Sequence, residues 1–424
     1  MLFPSLTTIL LGTMMELNPG MTLSPVYLEI FSSAGRILVF FVAILAQIYL
    51  IARIRQTFRF PRRSGSFRSR AVAAAGTAVV LLFALGGYVM ATPISWVDPP
   101  RAVQLLIFYL PAVWVVGSIS SALILIMFRG AGDLGRRAAR IHRDLTGKPV
   151  DAVVDTGRRR FLQAGAGALA VAPFVLSGYG AAYAGRAYEV RDLALPFGRT
   201  LRVVQLTDIH AGLFMTRQDL RRYADQVIAL KPDLFVLTGD YITNSIAYLP
   251  ECVEEMARVS ARYGTFATLG NHDHWYAESG DMAAIFRQHR IPLLRNAHRV
   301  IHTPEGPFAV AGIDDLQAGV PDLEAALRGL NPAIPTILLS HRPEIFPEAA
   351  EKGVALTLAG HYHGGQIKLS LPRRAISVAH LRSSYPEGLY RIDEACLYVS
   401  RGIGTSLTPV RLNARPEVTV LHLS

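Results

Sequence analysis

Residues 358–369 read LAGHYHGGQIKL, an apolar run that ends in two histidines, His361 and His363, set among glycines. Residues i and i+2 of a strand share a face, so two imidazoles at a strand end can point at one spot. Gly360, Gly364 and Gly365 let the backbone turn tightly around them. The pair suits a metal ion, although an isolated H-x-H also fits a solvated turn. Other strand ends favour the metal. LTDIHAG follows RVVQL and gives Asp208 and His210, again two apart; LTGDYIT follows LFV and gives Asp240. LGNHDHW follows TFAT and gives Asn271 and His272, and LLSHRPE gives His341. Five apolar strands each end in Asp, Asn or His inside a turn, which is where an α/β sheet carries its ligand site.

Around these ends, short β-rich runs such as FAVAGI, TILLSH and VTVLHL alternate with helical stretches such as RQDLRRYADQVIALK and LPECVEEMARVSARY. From about residue 195 onward the chain is therefore expected to be an α/β domain. The 424 residues are 51% hydrophobic with a mean hydropathy of +0.30, rich enough in apolar residues to place part of the chain in a membrane. The formal net charge of +11 sits in residues 1–185, with 18 Lys+Arg and 7 Asp+Glu, while the remainder is balanced at 25 of each. That split speaks against a basic nucleic-acid-binding surface on the globular part, so no nucleic acid is expected as a partner. Cys252 and Cys396 have no spacing that ties them together and read as buried free thiols, or as a pair if that part lies in an oxidising compartment.

Three apolar runs, Phe31 to Ile51, Ala71 to Ile94 and Val103 to Phe128, each reach the ~20 residues that a membrane-crossing helix needs. A fourth, Phe161 to Tyr183, is rich in Gly and Ala and holds Pro173. Arg53, Arg55, Arg59, Arg62, Arg63, Arg68 and Arg70 fill the loop after the first run, and nine Lys or Arg lie between Arg129 and Arg160. Both loops are expected in the cytoplasm, which places the domain after the fourth run outside it. The expected division is a transmembrane region over 1–130, a basic linker over 131–160, a fourth span or signal anchor over 161–185, and a catalytic domain over 195–424. Before the fourth run, Arg158, Arg159, Phe161 and Leu162 resemble a twin-arginine export signal. Ala182 and Ala184 form an A-x-A that a signal peptidase could cut.

The ordered set D-x-H, G-D, G-N-H-D, H and G-H-x-H resembles the calcineurin-like metallophosphoesterase superfamily over residues 195–424. GHYHGGQI and SRGIGTSLTPVRLNARPE further resemble its bacterial membrane-anchored or exported branch. The resemblance implies a four-layer α/β/β/α sandwich, here preceded by an all-α transmembrane region, and a site with two divalent metal ions. Carried over by residue, Asp208, His210, Asp240 and His363 would bind the first metal. Asp240, Asn271, His341 and His361 would bind the second, with Asp240 bridging. These nitrogen and oxygen donors suit Mn, Zn or Fe. Two such ions can clamp a phosphate and activate a bridging water.

His272 is the candidate acid for the leaving oxygen. Relatives with G-D-x-x-D orient this histidine with the last Asp; Thr243 stands there instead and can offer only an uncharged acceptor. Asp273 and His274 read either as supports of the site or as solvated loop residues. Arg342 reads as a phosphate contact or a surface ion pair. Residues 371–387, with Arg373, Arg374, His380, Arg382 and Tyr385, read as a lid or as an exposed turn.

The expected activity is membrane-anchored hydrolysis of phosphomonoesters or phosphodiesters, on phosphorylated small molecules or lipid-linked envelope substrates, outside the inner or plasma membrane. One alternative is a cytoplasmic-face pyrophosphohydrolase of a nucleotide-activated glycolipid. Another is a sensor or scaffold whose domain binds metal without catalysis.

Overall fold

Strands whose residues are all apolar are stable only when both faces are covered, and the observed architecture covers both. The computed structural model describes residues 41–53, 104–146, 156–183 and 187–424, apart from 372, 373 and 407, with a few single positions before residue 104. The chain divides into an N-terminal helical unit and a unit that contains residues 180–424.

In the larger unit, β1 (Glu189–Leu195), β2 (Leu201–Leu206), β3 (Leu234–Thr238) and β4 (Thr265–Thr268) belong to one sheet. A second sheet takes β5 (Ala297–Ile301), β6 (Phe308–Gly312), β7 (Thr336–Leu339) and β8 (Leu356–Ala359). Beyond these lie a hairpin of β9 (Leu369–Leu371) and β10 (Arg374–Ile376), then β11 (Gly388–Ile392), β12 (Ala395–Val399) and β13 (Glu417–Leu423). The first sheet has the order β1-β13-β2-β3-β4, with β13 antiparallel to β2 and the other pairs parallel. The second runs β11-β12-β8-β7-β6-β5, parallel from β12 to β6 with antiparallel edges.

Alternation along the strands builds the layers. Val203, Leu234 and Val236 of the first sheet pack against Phe308, Val310, Ile337 and Leu358 of the second. Their neighbours Val204, Phe235 and Leu237 face the other way, onto Leu220, Tyr223, Val253 and Phe286 of the flanking helices. Those helices are α1 (Arg217–Ala229), α2 (Leu249–Ala257), α3 (Asn271–Tyr276) and α4 (Ser279–Gln288). Ala311 and Leu338 on the far face of the second sheet meet Leu323, Ile345 and Ala349. Leu323 belongs to α5 (Leu323–Leu327), and Ile345 and Ala349 to the segment ending in α6 (Phe346–Glu351). The result is the expected α/β/β/α sandwich, in which each fully buried Leu or Phe contributes roughly 1.5–3 kcal/mol. Glu189 to Leu195 pairs in parallel with the C-terminal strand, so the folded unit starts upstream of residue 195.

The N-terminal unit contains the 37-residue helix Leu110–Thr146, which is long and apolar enough to cross a membrane by length and composition. It covers most of the run Val103 to Phe128, and the basic residues from Arg129 to Arg143 continue the same helix. The helix Thr156–Tyr183 contains Pro173, and its apolar part is the shorter stretch Gly167–Ala182. Ser121 Oγ donates to the Ala170 carbonyl at 2.6 Å, and Trp114 packs on Phe174 with ring centroids 5.1 Å apart. Of the first apolar run, Phe41–Arg53 is helical. The run Ala71 to Ile94 lies outside the described residues apart from single positions, and Ala184 lies outside them.

Candidate dinuclear metal centre

Parallel strands β2, β3, β4, β7 and β8 bring their C-terminal ends to one region, and the turns after them carry every site residue expected from the sequence. Main-chain bonds fix these turns to one another. Asp208 N donates to Gly239 O at 3.0 Å, His210 N to Asp240 O at 2.9 Å, and Gly360 N to His341 O at 3.0 Å. The two sheets are joined here by Gln205 Nε2, which donates to Thr238 Oγ1 (2.9 Å) in its own sheet and to Ala359 O (3.0 Å) in the other.

Asp208, His210, Asp240, His361 and His363 all have positive φ, between 50° and 73°. Left-handed backbone costs a side-chain-bearing residue about 1–2 kcal/mol, so a shared region with five such residues points to a functional demand on their positions. Glycine is needed where these turns touch. A Cβ at Gly360 would collide with the Asp208 carboxylate and Thr207, and one at Gly270 with the Asp240 carboxylate.

The side chains converge in overlapping groups. Asp208, His210 and His363 have donor atoms within 4.8 Å of one another, as do Asp240, His341 and His361, and His210, Asp240 and His272. Asp240 Oδ2 lies 3.5 Å from His210 Nε2 and 3.2 Å from His341 Nε2, so one carboxylate stands between the first two groups. His210 Nε2 and His363 Nε2 are 3.1 Å apart, and His363 Nε2 is 3.3 Å from Asp208 Oδ1. His341 Nε2 and His361 Nδ1 are 3.2 Å apart. Asn271 reaches the second group through Arg342, whose Nη2 is 3.3 Å from Asn271 Oδ1 and whose Nη1 is 2.7 Å from His361 Nε2.

Electrostatics favour ligation. Burial pushes His210 down to about 3 and also lowers His361 and His363, the last two with help from the neighbouring Arg342 and Arg411 charges, so these rings stay neutral. Asp240 is held well below the ordinary carboxylate range: burial opposes this, but the adjacent histidines outweigh it. His341 rises to about 10 because the Asp240, Asp208 and Asp315 carboxylates overcome its burial, and a cation would have to displace that proton. Burial lifts Asp208 to about 6. Neutral imidazoles and an ionised carboxylate in contact are a donor set that fits divalent cations of borderline hardness.

Around the ligands stand supporting residues, and of the two readings of Asp273 and His274 the structure shows the supporting one. Asp273 is fully buried and accepts from Asp240 N (2.8 Å), Tyr241 N (2.9 Å) and Gly270 N (2.9 Å), which clamps two ligand turns together. His274 Nε2 pairs with Asp314 Oδ1 at 2.6 Å, and Arg295 Nη2 binds the other oxygen at 2.7 Å. Arg342 is neither a surface ion pair nor an open phosphate contact. It is buried, with Nε 3.1 and 3.2 Å from the two oxygens of buried Asp315, and it braces Asn271 and His361. Arg411, also buried, donates to the carbonyls of Arg401 (2.9 Å) and Ala414 (3.0 Å) and approaches His363 Nδ1 at 3.1 Å. The tandem acids in GIDD were the one available signal for Asp314 and Asp315; for Arg411 it was its place in SRGIGTSLTPVRLNARPE, which gave no role for it.

His272 differs from expectation in its anchor. Its Nδ1 is 2.7 Å from the main-chain oxygen of Thr243, while the Thr243 hydroxyl donates to His210 O at 2.8 Å. A carbonyl accepts only from a protonated nitrogen, so Nδ1 carries a hydrogen and Nε2 is the atom that can exchange a proton. The ring stands edge-on to His210, with centroids 4.6 Å apart, and tilts against half-exposed Trp275 at 5.0 Å. Of the residues expected in a lid, His380 bonds Ser377 Oγ at 2.7 Å, Tyr385 packs between Phe346 and Tyr390, Arg382 is exposed, and Arg373 lies outside the described residues. Cys252 and Cys396 are buried free thiols.

Comparison with known proteins agrees with this geometry. A model of the calcineurin-like phosphoesterase family matches residues 201–365. The uncharacterized metallophosphoesterase YkuE of Bacillus subtilis is 31% identical over 279 residues, covering 63% of this chain and 97% of YkuE. Phosphodiesterase YaeI of Escherichia coli is 31% identical over 283 residues, 63% of this chain and 98% of YaeI. A transmembrane protein with metallophosphoesterase domain from Danio rerio is 32% identical over 268 residues, 59% of this chain and 60% of that protein's own length. With its sandwich fold and its His/Asp clusters, the chain belongs to the calcineurin-like metallophosphoesterases, which are metal-dependent phosphoric ester hydrolases.

Proposed function

We propose that this chain is a dinuclear, membrane-anchored phosphoesterase that hydrolyses phosphomonoesters or phosphodiesters of envelope or lipid-linked molecules on the extracytoplasmic side. The observation that carries the reading is the Asp240 carboxylate, shared at 3.2 and 3.5 Å between two imidazole groups. Asp208, His210, Asp240 and His363 would hold one cation, and Asp240, Asn271, His341 and His361 the other. Two Mn, Zn or Fe ions bound there would polarise the phosphoryl oxygens and lower the pKa of an attacking water.

The remaining work falls to the chain. Main-chain N–H groups of His361 (3.0 Å to Asp208 Oδ2) and His272 (2.9 Å to Asp240 Oδ1) orient the two carboxylates. His341 Nδ1 is fixed on Thr238 O at 2.9 Å, which leaves Nε2 facing the site. His272, held through Nδ1, would deliver its Nε2 proton to the departing alkoxide as the P–O bond breaks. Anchorage is supported by the helix Leu110–Thr146 and by the transmembrane relative; the outward orientation rests on the arginine-rich loops. The test is the full chain in detergent, stripped of metal and assayed on phosphomonoesters, phosphodiesters and lipid pyrophosphates with Mn, Zn or Fe restored. Metal-dependent release of phosphate or of one ester arm is expected. No hydrolysis of any substrate with any of the metals would contradict the reading.

A further inference from the structure

Two residues beyond His363 the chain leaves the candidate site and builds an outgrowth: the β9–β10 hairpin followed by α7 (Val378–Arg382). Its outer side chains are aliphatic and face water. Leu369 is 59% exposed, Ile376 45%, Val378 64% and Leu381 73%. Leu369 and Ile376 are direct cross-strand partners and so share one face. Buried Ser377 and Ala379 face inward; Ser377 lies so close to Gly365 that no side chain would fit there. The apolar outgrowth is therefore rooted on the loop that carries His361 and His363.

Its sequence is rich in basic residues. Residues 366–386 contain Lys368, Arg373, Arg374 and Arg382 and no Asp or Glu. Lys368 is paired with Glu387, and Arg382 is exposed beside Leu381. Clustered exposed aliphatics are uncommon on a water-facing surface. With the exposed Arg382 cation beside them, they match a segment that lies in an anionic lipid interface. The same chain carries a helix long and apolar enough to cross a membrane by length and composition. We propose that Leu369, Ile376, Val378 and Leu381 dip into the headgroup boundary of the bilayer and present the site to phosphorylated lipid headgroups. The substrate part of this inference rests on the phosphoesterase reading above; the docking part does not.

The test uses the full chain in nanodiscs of phosphatidylcholine and phosphatidylglycerol. Cys252 and Cys396 are buried, so a cysteine at the surface can be labelled selectively. Val378→Cys and Leu381→Cys, each carrying an environment-sensitive fluorophore, are compared with Val320→Cys, a position 72% exposed on another loop. Nitroxide lipids should quench the first two labels and spare the third. Quenching at 378 and 381 no stronger than at 320 would mean that water or protein covers the patch, and would overturn the proposal. In parallel, a Val378→Asp/Leu381→Asp double variant should lose about tenfold or more on vesicle-borne phosphatidate while keeping its rate on p-nitrophenyl phosphate. Equal rates of wild type and variant on vesicles would overturn the docking and leave the phosphoesterase reading intact. If the wild type hydrolysed neither substrate, that reading would fail while the quenching still decided the docking.

Discussion

His272 makes its ring hydrogen bond to a main-chain oxygen, so the absence of an acid at position 243 does not leave the imidazole without an anchor. His272→Ala should keep bound metal but lower turnover on alkyl phosphates by roughly 10²–10⁴, the range for general acid catalysis, with a smaller loss on nitrophenyl esters. Equal losses on both would remove His272 from the acid role. Asp314 supplies a pH-dependent prediction away from the candidate ligands. Burial would raise its pKa, but hydrogen bonds from His274 and Arg295 hold it well below the carboxylate range. The depressed folded-state pKa gives stability that is present above the unfolded value of ~3.9 and is lost as pH falls below it. Asp314→Asn should therefore lower the unfolding temperature at neutral pH and flatten its decline in acid; an unchanged acid slope would contradict the pairing. All seven candidate ligands were readable because each type of residue stands at a strand end, whereas the roles of Asp273, Arg342 and Arg411 depend on turns that meet only after folding.

Strands explain how far that reading extended. An apolar run closed by Asp, Asn or His marks both the strand and its site residue, and β2, β3, β4, β7 and β8 all follow this rule. The parallel pairing of β1 with β13 joins segments at opposite ends of the domain, and nothing local announces it. The helix within LPECVEEMARVSARY ends at Ala257, well short of the amphipathic pattern, because the chain must turn there to enter β4. Glycines in the ligand turns are the test of close packing between elements. Gly360→Ala would push a methyl group into Asp208 and Thr207, and overpacking of this kind costs typically 1–3 kcal/mol. We expect a lower unfolding temperature together with weakened metal binding in that variant. Wild-type values for both would show that the β8 turn can retreat from β2 without consequence.

For the whole molecule, the arginine distribution predicts that the domain after Tyr183 lies outside the cytoplasm. A C-terminal reporter that is active only when exported should be active, and protease added to spheroplasts should reach the domain. A protected domain would favour the cytoplasmic-face pyrophosphohydrolase instead. The centre is what separates an enzyme from a metal-binding scaffold, and Asp240 is the residue both halves of that centre share. The most direct measurement is the metal content of the purified full chain and its Asp240→Asn variant, taken alongside phosphoester hydrolysis by each. We predict two equivalents of metal and turnover for the wild type, and fewer than two equivalents with nearly all hydrolysis lost for the variant. Two tightly bound metals and substantial activity in Asp240→Asn would contradict the shared-carboxylate centre.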